Sequence, residues 1–452
     1  MSMRQLLLLL LAPWLLAAAQ ANPYETTLKN GLRIIVKEDH RAPTAVQMVW
    51  YRVGSIDEVD GSSGVAHLLE HMMFKGTPSV GPGEFNRRVA AAGGRDNAFT
   101  SRDYTAYFQQ VPTEQLAAVM QLEADRMRHL NVDAKEFAQE IKVVMEERRM
   151  RTDDEPEAKL FEQMNAVAFQ AHPYRRPIIG WMSDLETMTA DDAKAWYDAW
   201  YVPNNAYVVI AGDVDHDAVF ALAEACYGSL AGHAVPQRKA QVEPVQEGMR
   251  RISVKAPAEL PVLIMAYKVP VLRDVDRDNE PYALEMLAAV LDGHDAARFK
   301  KKLVREDKVA LDVDIDYEAT ARGPGMFYFS GTPAEGRTVA DLEAALRAEI
   351  ALVQKDGVSE TELRRARAQR VAGQIYKLDS MFGQAMEIGQ SEAVGIPYPK
   401  LATELEKLQK VSAAEVQAVA RKYFSDDTLT VGILDPQPIS GQPRRSTIAT
   451  RH

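Results

Sequence analysis

The sequence predicts a mixed fold, of the α/β or α+β class, that contains two duplicated domains. Strand-like segments alternate with helical patterns along the chain, and this interleaving is typical of the two mixed classes. With 452 residues the chain is too long for a single hydrophobic core, because cores stop growing near about 250–300 residues. A helix, a turn and a strand also recur in the same order late in each half of the chain, which indicates duplication.

Strands are predicted first along the chain, and helices follow. Residues 32–36 and 45–51 are β-rich and roughly alternating, and Asn30-Gly31 gives a turn signal before the first of them. A further strand is expected at residues 98–109. The predicted helices cover residues 64–75, 82–92, 113–129 and 135–151.

The internal repeat has an offset of 223 positions, from Thr189 to Ser412. Each of these hydroxyl residues is placed to cap a helix, and a carboxylate follows three residues later, as in a capping box. A turn and a strand come after each helix, at residues 206–211 and 429–434. The same succession at the end of each half predicts two homologous domains.

The domain limits follow from composition. Residues 22–228 are expected to form the first domain and residues 249–436 the second. Residues 229–248 between them are rich in Gly, Pro and Gln, which is typical of an interdomain linker. Residues 437–452 have the composition of a flexible tail.

Residues 1–21 have the pattern of a secretory signal peptide. Arg4 gives a positive start, an uncharged apolar run covers residues 6–19, and Ala19-Gln20-Ala21 offers small residues for cleavage. The alternative is a membrane anchor, but the apolar run is shorter than the ~20 residues that a spanning helix needs. We therefore expect cleavage near Ala21, a periplasmic location, and no membrane attachment of the mature chain.

Charge and cysteine content exclude several classes of protein. The chain has 53 Lys+Arg against 64 Asp+Glu, a formal net charge of −11, which argues against general binding of nucleic acid. The single cysteine, Cys226, excludes an intrachain disulfide framework and a multi-cysteine metal site. We expect Cys226 to be a buried small residue rather than a nucleophile.

Two histidines lie four residues apart in the segment His67-Leu68-Leu69-Glu70-His71. On a helix, positions i, i+3 and i+4 share one face, so both imidazoles and the Glu70 carboxylate project together. Two neutral imidazoles can bind zinc while the carboxylate takes a proton from the metal-bound water, as in the HxxEH arrangement. The alternative is an ordinary histidine pair on an amphipathic helix, which leaves these polar groups without an explanation.

A catalytic zinc site usually takes three protein ligands, so a third ligand is expected on another element. Along the predicted helix, a rotation of about 100° per residue puts Glu140 and Glu147 two turns apart on the apolar arc and Glu146 outside it. We therefore expect Glu147 to be the third ligand and Glu140 to orient a histidine. The alternative is ion pairing of these glutamates with nearby arginines. The apolar residues of the arc are Phe137, Val143 and Val144, and the arginines are Arg148, Arg149 and Arg151.

These residues carry a resemblance to the insulinase/pitrilysin zinc peptidases, which have the inverted HxxEH motif. The segment from Gly64 to Thr77 resembles their signature, and it is especially similar to that of short bacterial members and of the β subunit of mitochondrial processing peptidase. The resemblance covers essentially the whole mature chain and is stronger in its first half. Further segments resemble family positions in order: Asn97-Ala98-Phe99-Thr100-Ser101, Val143-Val144-Met145-Glu146-Glu147, His172-Pro173-Tyr174 and Tyr201-Val202-Pro203-Asn204-Asn205.

The resemblance implies a fold, an activity and a site. It implies two similar domains, each a mainly antiparallel sheet covered by helices, which together form half of a clamshell around unfolded peptides. The activity implied is that of an endopeptidase with Zn²⁺ in the first domain and none in the second. The third ligand and the supporting glutamate of the family fall on Glu147 and Glu140. A peptide substrate would be held as an added edge strand, with Asn97 and Ala98 near the scissile bond.

One segment departs from the family pattern. Active members stabilise the tetrahedral intermediate with an arginine and a tyrosine in a pattern like R-E-K-G-L-A-Y, and the corresponding segment here runs from Arg305 to Leu311. Arg305 is retained, and the resemblance implies that it binds substrate. Leu311 stands where the tyrosine would be, and a leucine cannot donate a hydrogen bond to an oxyanion. We therefore expect a related partner subunit that lacks HxxEH and supplies both residues. A homodimer is the alternative, and Arg305 is then only a surface charge.

A rival interpretation from another class is a non-catalytic structural or chaperone-like subunit. Such a subunit should tolerate loss of the metal ligands, whereas His67, His71 and Glu147 are all present. His172 has two interpretations as well: it binds substrate, or it shapes a turn beside Pro173.

Overall fold

The computed structural model describes residues 23–439, so the predicted signal peptide and most of the predicted tail lie outside the described residues. Within this range the chain forms eleven strands and fourteen α-helices, and none of these helices has both the length and the apolar character needed to cross a membrane. The strands are β1 (Tyr24–Thr27), β2 (Arg33–Glu38), β3 (Thr44–Tyr51), β4 (Arg95–Thr100), β5 (Thr105–Pro112), β6 (Ala206–Gly212), β7 (Arg250–Pro257), β8 (Val262–Val269), β9 (Ala310–Tyr317), β10 (Gly325–Pro333) and β11 (Leu429–Gln437). The helices are α1 (Val65–Met72), α2 (Glu84–Ala91), α3 (Leu116–His129), α4 (Ala134–Arg148), α5 (Pro156–Ala168), α6 (Met182–Thr187), α7 (Ala190–Trp200), α8 (His216–Tyr227), α9 (Glu280–Asp292), α10 (Val339–Asp356), α11 (Glu360–Asp379), α12 (Met381–Ala393), α13 (Leu401–Lys410) and α14 (Ala413–Tyr423).

The chain folds into two compact units, and each unit takes segments from both halves of the sequence. The boundary after Lys142 falls inside α4, which runs as one continuous helix. The predicted domain limits stay a prediction. The first unit contains the described residues up to Lys142, Ile178–Lys239 and Gly373–Glu404, and the second contains Val143–Pro177, Ala240–Ala372 and the described residues from Leu405 onward.

Each unit contains one mainly antiparallel sheet with the same strand order. The first sheet runs β1-β2-β6-β3-β5-β4, with β2 and β6 parallel and the other neighbours antiparallel. The second sheet runs β7-β11-β8-β10-β9, with β7 and β11 as its parallel pair. Apart from the additional β1, the two orders match strand for strand. The predicted class of two duplicated, mainly antiparallel domains with covering helices is therefore confirmed.

The helix-turn-strand repeat that predicted the duplication is present in both units. Thr189 caps α7 and Ser412 caps α14, and both form the expected capping box. The strands that follow are β6 and β11, which hold equivalent positions in the two sheets. The capping residues therefore predicted the repeat correctly.

The single strand predicted at residues 98–109 is wrong, because this segment forms a hairpin. β4 and β5 are antiparallel and Thr100 pairs with Thr105 across the turn. The Ser101 hydroxyl accepts hydrogen bonds from the backbone N–H groups of Asp103 (3.0 Å) and Tyr104 (3.2 Å). A serine that satisfies backbone donors in this way stabilises a tight turn, and this turn chemistry breaks the strand.

The core of the first unit is closed by a helix from late in the sequence. α12 packs against β3 and β6, where Trp50 is fully buried. Gly389 lies so close to Trp50 that a Cβ atom would meet the indole ring at 2.1 Å, and the Gly389 carbonyl accepts a hydrogen bond from the Tyr207 hydroxyl (2.7 Å). In the second unit, α5 packs against β7 and β11.

Residues 229–248 form no helix or strand, and their C-terminal part is anchored within the second unit. The Glu243 carboxylate accepts hydrogen bonds from the backbone N–H groups of Gln170, Ala171 and His172 at 2.8–2.9 Å and pairs with Lys268 at 2.7 Å. Burial alone would raise the pKa of Glu243, but these donors outweigh it and hold that pKa at about 2. The segment is therefore fixed at this residue rather than uniformly flexible.

Glu404 on α13 should make the stability of the first unit depend on pH. Its Oε1 is buried and accepts no hydrogen bond from residues 23–439, and burial together with the charge of Glu387 raises its pKa to about 7. This pKa lies above the value of about 4.3 expected in the unfolded chain. The contribution of Glu404 to the free energy of unfolding is therefore fully present below about pH 4.3 and is lost as the pH rises through 7. We expect Glu404→Gln to raise the melting temperature by a few degrees at pH 8 and to leave it unchanged at pH 4. The exposed Glu406→Gln is the control, and an equal gain at both pH values would contradict the assignment.

Candidate metal centre

Helix α1 presents three polar side chains beside a buried apolar face. The apolar side chains of the helix face the core, and His67, Glu70 and His71 lie together on the other side. The two imidazole centroids lie 4.8 Å apart. The buried residues of the helix are Val65, Ala66, Leu68, Leu69 and Met72.

The start of α1 is fixed by a carboxylate that the sequence analysis missed. The Glu58 side chain accepts hydrogen bonds from the backbone N–H groups of Gly64 and Ala66, both at 3.0 Å, and Glu58 is only 4% exposed. An anion at this position also complements the positive end of the helix dipole. Gly64 has a left-handed φ of 89°, and a Cβ here would meet the Ile179 carbonyl at 2.5 Å, so only glycine fits this entry to the helix.

Glu140 holds His71 in a defined orientation. Its Oε1 lies 2.8 Å from His71 Nδ1, and its Oε2 pairs with Lys75. Burial alone would raise the pKa of Glu140, but the hydrogen bonds from His71 and Lys75 outweigh it, so the pKa lies below its ordinary value. An ionised Glu140 favours the tautomer of His71 with a proton on Nδ1, which leaves the Nε2 lone pair available to a metal.

The continuous helix α4 carries both predicted glutamates. His67, His71 and Glu147 each offer one ligand atom, and these three atoms all lie within 4.8 Å of one another. Glu147 also pairs with Arg151 at 2.6 Å, so the predicted ion pairing occurs alongside the clustering with the histidines. Glu146 points away, with a 62% exposed side chain that pairs with Arg149.

One detail of the helical wheel is wrong. Val143 was expected on the buried arc, but it is 50% exposed, whereas Val144 and Phe137 are buried as expected. The chain beyond α4 continues as a π-helical turn over Arg149–Asp153, and Arg148 turns inward to pair with Glu162 at 2.7 Å. The buried side of α4 therefore includes Phe137, Val144 and Arg148 but not Val143.

The donor set of this cluster fits a zinc ion. Two imidazole nitrogens and one carboxylate oxygen are the ligands of a three-ligand catalytic zinc site, which keeps a fourth position open. The hydrogen bond from His71 to Glu140 supplies the support that a ligating histidine usually has. The side chains of His71 and Glu147 are 21% and 15% exposed, so both are only partly shielded from solvent.

A second cluster, Glu38 with Asp215 and His216, also has ligand atoms within 4.8 Å. Its carboxylates are accounted for by the start of α8. Asp215 accepts a hydrogen bond from the Ala218 N–H (2.9 Å), and Glu38 accepts from both the backbone N–H and the ring of His216. These are capping interactions at the positive end of a helix, where a cation is disfavoured.

Glu70 extends from α1 to the end of β4. Its Oε2 accepts a hydrogen bond from the Thr100 hydroxyl at 2.6 Å. Behind it, the hydroxyls of Tyr107 and Tyr201 lie 3.0 Å apart. Burial raises the pKa of Tyr107 well above 10, and the neighbouring Tyr201 and the Glu70 carboxylate raise it further, so these phenols stay neutral.

The predicted substrate residues Asn97 and Ala98 lie in β4, which is the last strand of the first sheet. Asn97 is exposed and its side-chain oxygen accepts a hydrogen bond from the Ala98 N–H at 2.9 Å. Within the described residues the outer edge of β4 has no strand neighbour. An extended peptide can therefore add to this edge, and the same strand ends at Thr100 beside Glu70.

The remaining candidates lie in the second unit or in α8. Arg305 is exposed on the short π-helix Lys300–Glu306, and Leu311 at the start of β9 is 59% exposed. His172 is 7% exposed and its Nδ1 accepts a hydrogen bond from the Tyr174 N–H at 3.2 Å, which is the turn-shaping role. Cys226 is half-buried rather than fully buried, and burial raises the pKa of its thiol, which disfavours the nucleophilic thiolate.

Lys75 and Thr100 were missed by the sequence analysis as partners of the site residues. Lys75 lies four residues after His71, so the helix predicted over residues 64–75 would have put both on one face, although α1 ends at Met72. Thr100 lies at a strand end, and no periodic pattern links a strand end to a helix. The spacing signal could therefore have found Lys75 but not Thr100.

Comparison with known proteins places this geometry in a family. Residues 33–181 match the model of the insulinase family (peptidase family M16), and residues 187–370 match the model described as the peptidase M16 inactive domain. The chain belongs to the insulinase-like M16 family of zinc proteases.

Individual relatives agree with this assignment. The zinc protease PqqE of Helicobacter pylori is 32% identical over 423 residues, which cover 91% of this chain and 92% of the relative. A crystal structure of a protease from Helicobacter pylori has a TM-score of 0.87 and 29% identity, covering 92% of this chain and all of that one. The periplasmic protease PqqL of Escherichia coli shares the fold, with a TM-score of 0.79 and 20% identity over 93% of this chain and 48% of its own.

Replacing Glu140 with alanine should weaken zinc binding roughly 10–100-fold without abolishing it. The substitution removes the acceptor of the His71 Nδ1 proton, and such a partner usually has an effect of this size. Titration of the apo-protein with zinc against a competing chelator measures the change. Glu136→Ala, one turn earlier on α4, is the matched control, and equal zinc affinity for wild type and Glu140→Ala would contradict the role of Glu140.

Proposed function

We propose that this chain is a zinc-dependent endopeptidase that cleaves unfolded peptides after export to the periplasm. The observation that carries the proposal is the clustering of His67, His71 and Glu147 within 4.8 Å, with Glu70 on the same helix as the two histidines. The names of the relatives as zinc proteases agree with it. The predicted signal peptide and the periplasmic location of PqqL support the proposed compartment.

His67, His71 and Glu147 would hold the zinc ion through two nitrogens and one oxygen. When bound, zinc acts as a Lewis acid that lowers the pKa of water and polarises the scissile carbonyl. Glu140 keeps His71 in the ligating tautomer, and Lys75 keeps Glu140 ionised. The protein thus prepares the three ligands before substrate arrives.

Glu70 is the proposed general base. Its carboxylate accepts the proton of the attacking water and then returns a proton to the leaving amine. The edge of β4 holds the peptide through backbone hydrogen bonds, which give affinity with loose side-chain selectivity. Asn97 and Ala98 lie in that strand, so the scissile bond would be placed beside the helix that carries Glu70.

One side-chain donor for the oxyanion, the tyrosine of the family pattern, is missing from this chain. Leu311 has no hydrogen-bond donor in its side chain, and loss of one such donor costs on the order of a hundredfold in rate. We therefore propose a related partner that lacks HxxEH and carries the arginine and the tyrosine. The partner then supplies the oxyanion donor that Leu311 lacks, and the closing of two such chains around a peptide is part of the same proposal.

The test measures zinc content and cleavage of an unstructured reporter peptide, for the chain alone and mixed with the related partner. We expect one zinc per chain, slow cleavage alone, and much faster cleavage in the mixture. Full activity of the chain alone would remove the partner from the proposal. A chain that binds no zinc and cleaves nothing in either sample would instead support the non-catalytic subunit.

A further inference from the structure

Thr100, the last residue of β4, is hydrogen-bonded to the proposed general base Glu70. The donor is the Thr100 hydroxyl and the acceptor is Glu70 Oε2, at 2.6 Å. This is the short distance of an O–H group that donates to an ionised carboxylate. Both side chains are half-buried, and a hydrogen bond is stronger where water is partly excluded.

Three features restrict the position of Thr100 and its hydroxyl. It is the last residue of β4 and pairs with Thr105 of β5. The following residue, Ser101, donates its backbone N–H to the Tyr104 carbonyl at 2.8 Å and closes the turn. Threonine is β-branched, so few χ1 rotamers are open to it, and the hydroxyl is held in place together with the strand.

Glu70 needs such a support because glutamate is a long and flexible side chain. Ordering a glutamate side chain costs up to about 1.5–2 kcal/mol of rotamer freedom. A general base acts only when its carboxylate lies within reach of the proton that it takes. A single fixed donor on one carboxylate oxygen restricts the rotamer before substrate binds.

We propose that Thr100 is a positioning residue that holds the Glu70 carboxylate in its reactive orientation and links it to the peptide-binding strand β4. The proposal rests on the proposed function, since it requires Glu70 to act on the scissile peptide bond. It goes beyond that function because it assigns two roles to strand β4. The outer edge of β4 pairs with the peptide, and its last side chain orients the base.

The test compares kcat and KM for four variants, assayed with the partner chain wherever cleavage requires it. Thr100→Val keeps the shape of the side chain and removes the hydroxyl, and we expect kcat to fall about 10–100-fold with KM nearly unchanged. Thr100→Ser keeps the donor and should stay within about threefold of wild type. Zinc content and melting temperature are measured in parallel, and Thr100→Ala replaces the valine variant if that variant does not fold.

The matched control is Thr105→Val, the residue directly opposite in the hairpin. Its hydroxyl donates to the Val53 carbonyl at 3.0 Å, so its loss perturbs the hairpin without removing the donor to Glu70. Wild-type kcat in Thr100→Val, or an equal loss of kcat in Thr105→Val, would overturn the proposal. Glu70→Gln distinguishes failure of the Thr100 proposal from failure of the proposed function. If Glu70→Gln cleaves normally, the proposed mechanism is wrong, whatever the result for the Thr100 variants.

Discussion

Glu70→Gln should lower kcat for peptide cleavage by about a hundredfold to ten-thousandfold and leave zinc bound. An amide cannot accept the proton of the attacking water. Loss of a general base typically lowers the rate by a factor in this range. Glutamine has the same length as glutamate and its oxygen can still accept the Thr100 hydroxyl, so the local packing is retained. His67 and His71 are untouched by the substitution, and the zinc content therefore reports that the metal centre is intact.

The measurement is a steady-state assay with the partner present, together with metal analysis of the same sample. A variant that retains zinc and the wild-type melting temperature but has lost cleavage supports the role of Glu70. If Glu70→Gln cleaves as fast as wild type, the proposed mechanism is wrong. Loss of zinc together with activity would show instead that Glu70 supports the metal rather than the proton transfer.

Glu147→Ala should remove both the metal and the activity. Its carboxylate oxygen is one of the three clustered ligand atoms, and two histidines from one helix form an incomplete site for zinc. We expect zinc affinity to fall by more than the roughly 10–100-fold expected for Glu140→Ala, because a ligand itself is lost. Zinc titration and cleavage rate should change together in this variant.

Glu146→Ala is the matched control, since it changes the adjacent residue of the same helix. The Glu146 side chain is 62% exposed and pairs only loosely at the surface with Arg149, so its loss should leave zinc affinity and cleavage close to wild type. Equal effects of the two variants would contradict the assignment of Glu147. Normal zinc binding in Glu147→Ala would mean that its contact with Arg151 is its main role.

The metal centre was largely predictable because helix geometry is regular. The spacing of His67, Glu70 and His71 fixes their common face, and the same rule separates Glu147 from Glu146. The rule failed at Val143, which is 50% exposed although it lies within about 60° of Glu140 on the helical wheel. Periodicity reports which residues share a face, but it does not report which of two faces the neighbouring elements cover.

The supporting contacts were less predictable because they join elements that are distant in sequence. Glu58 caps α1 from a loop, and Thr100 reaches Glu70 across a hairpin that was read as a single strand. Serine at position 101 was the local signal for that turn, and it was overlooked beside a long β-rich run. Contacts of this kind depend on tertiary packing and leave no period in the sequence.

The late-arriving helix α12 has a consequence for how the polypeptide is made. The sheet around Trp50 is complete in sequence by Lys239, but its cover begins only at Met381. At about 5–20 residues per second, a ribosome needs roughly 7–28 s to synthesise the stretch between them. A chain that ends before Met381 therefore leaves this side of the sheet around Trp50 without its covering helix. A product truncated after Lys239 would lack this cover even though it contains every proposed zinc ligand.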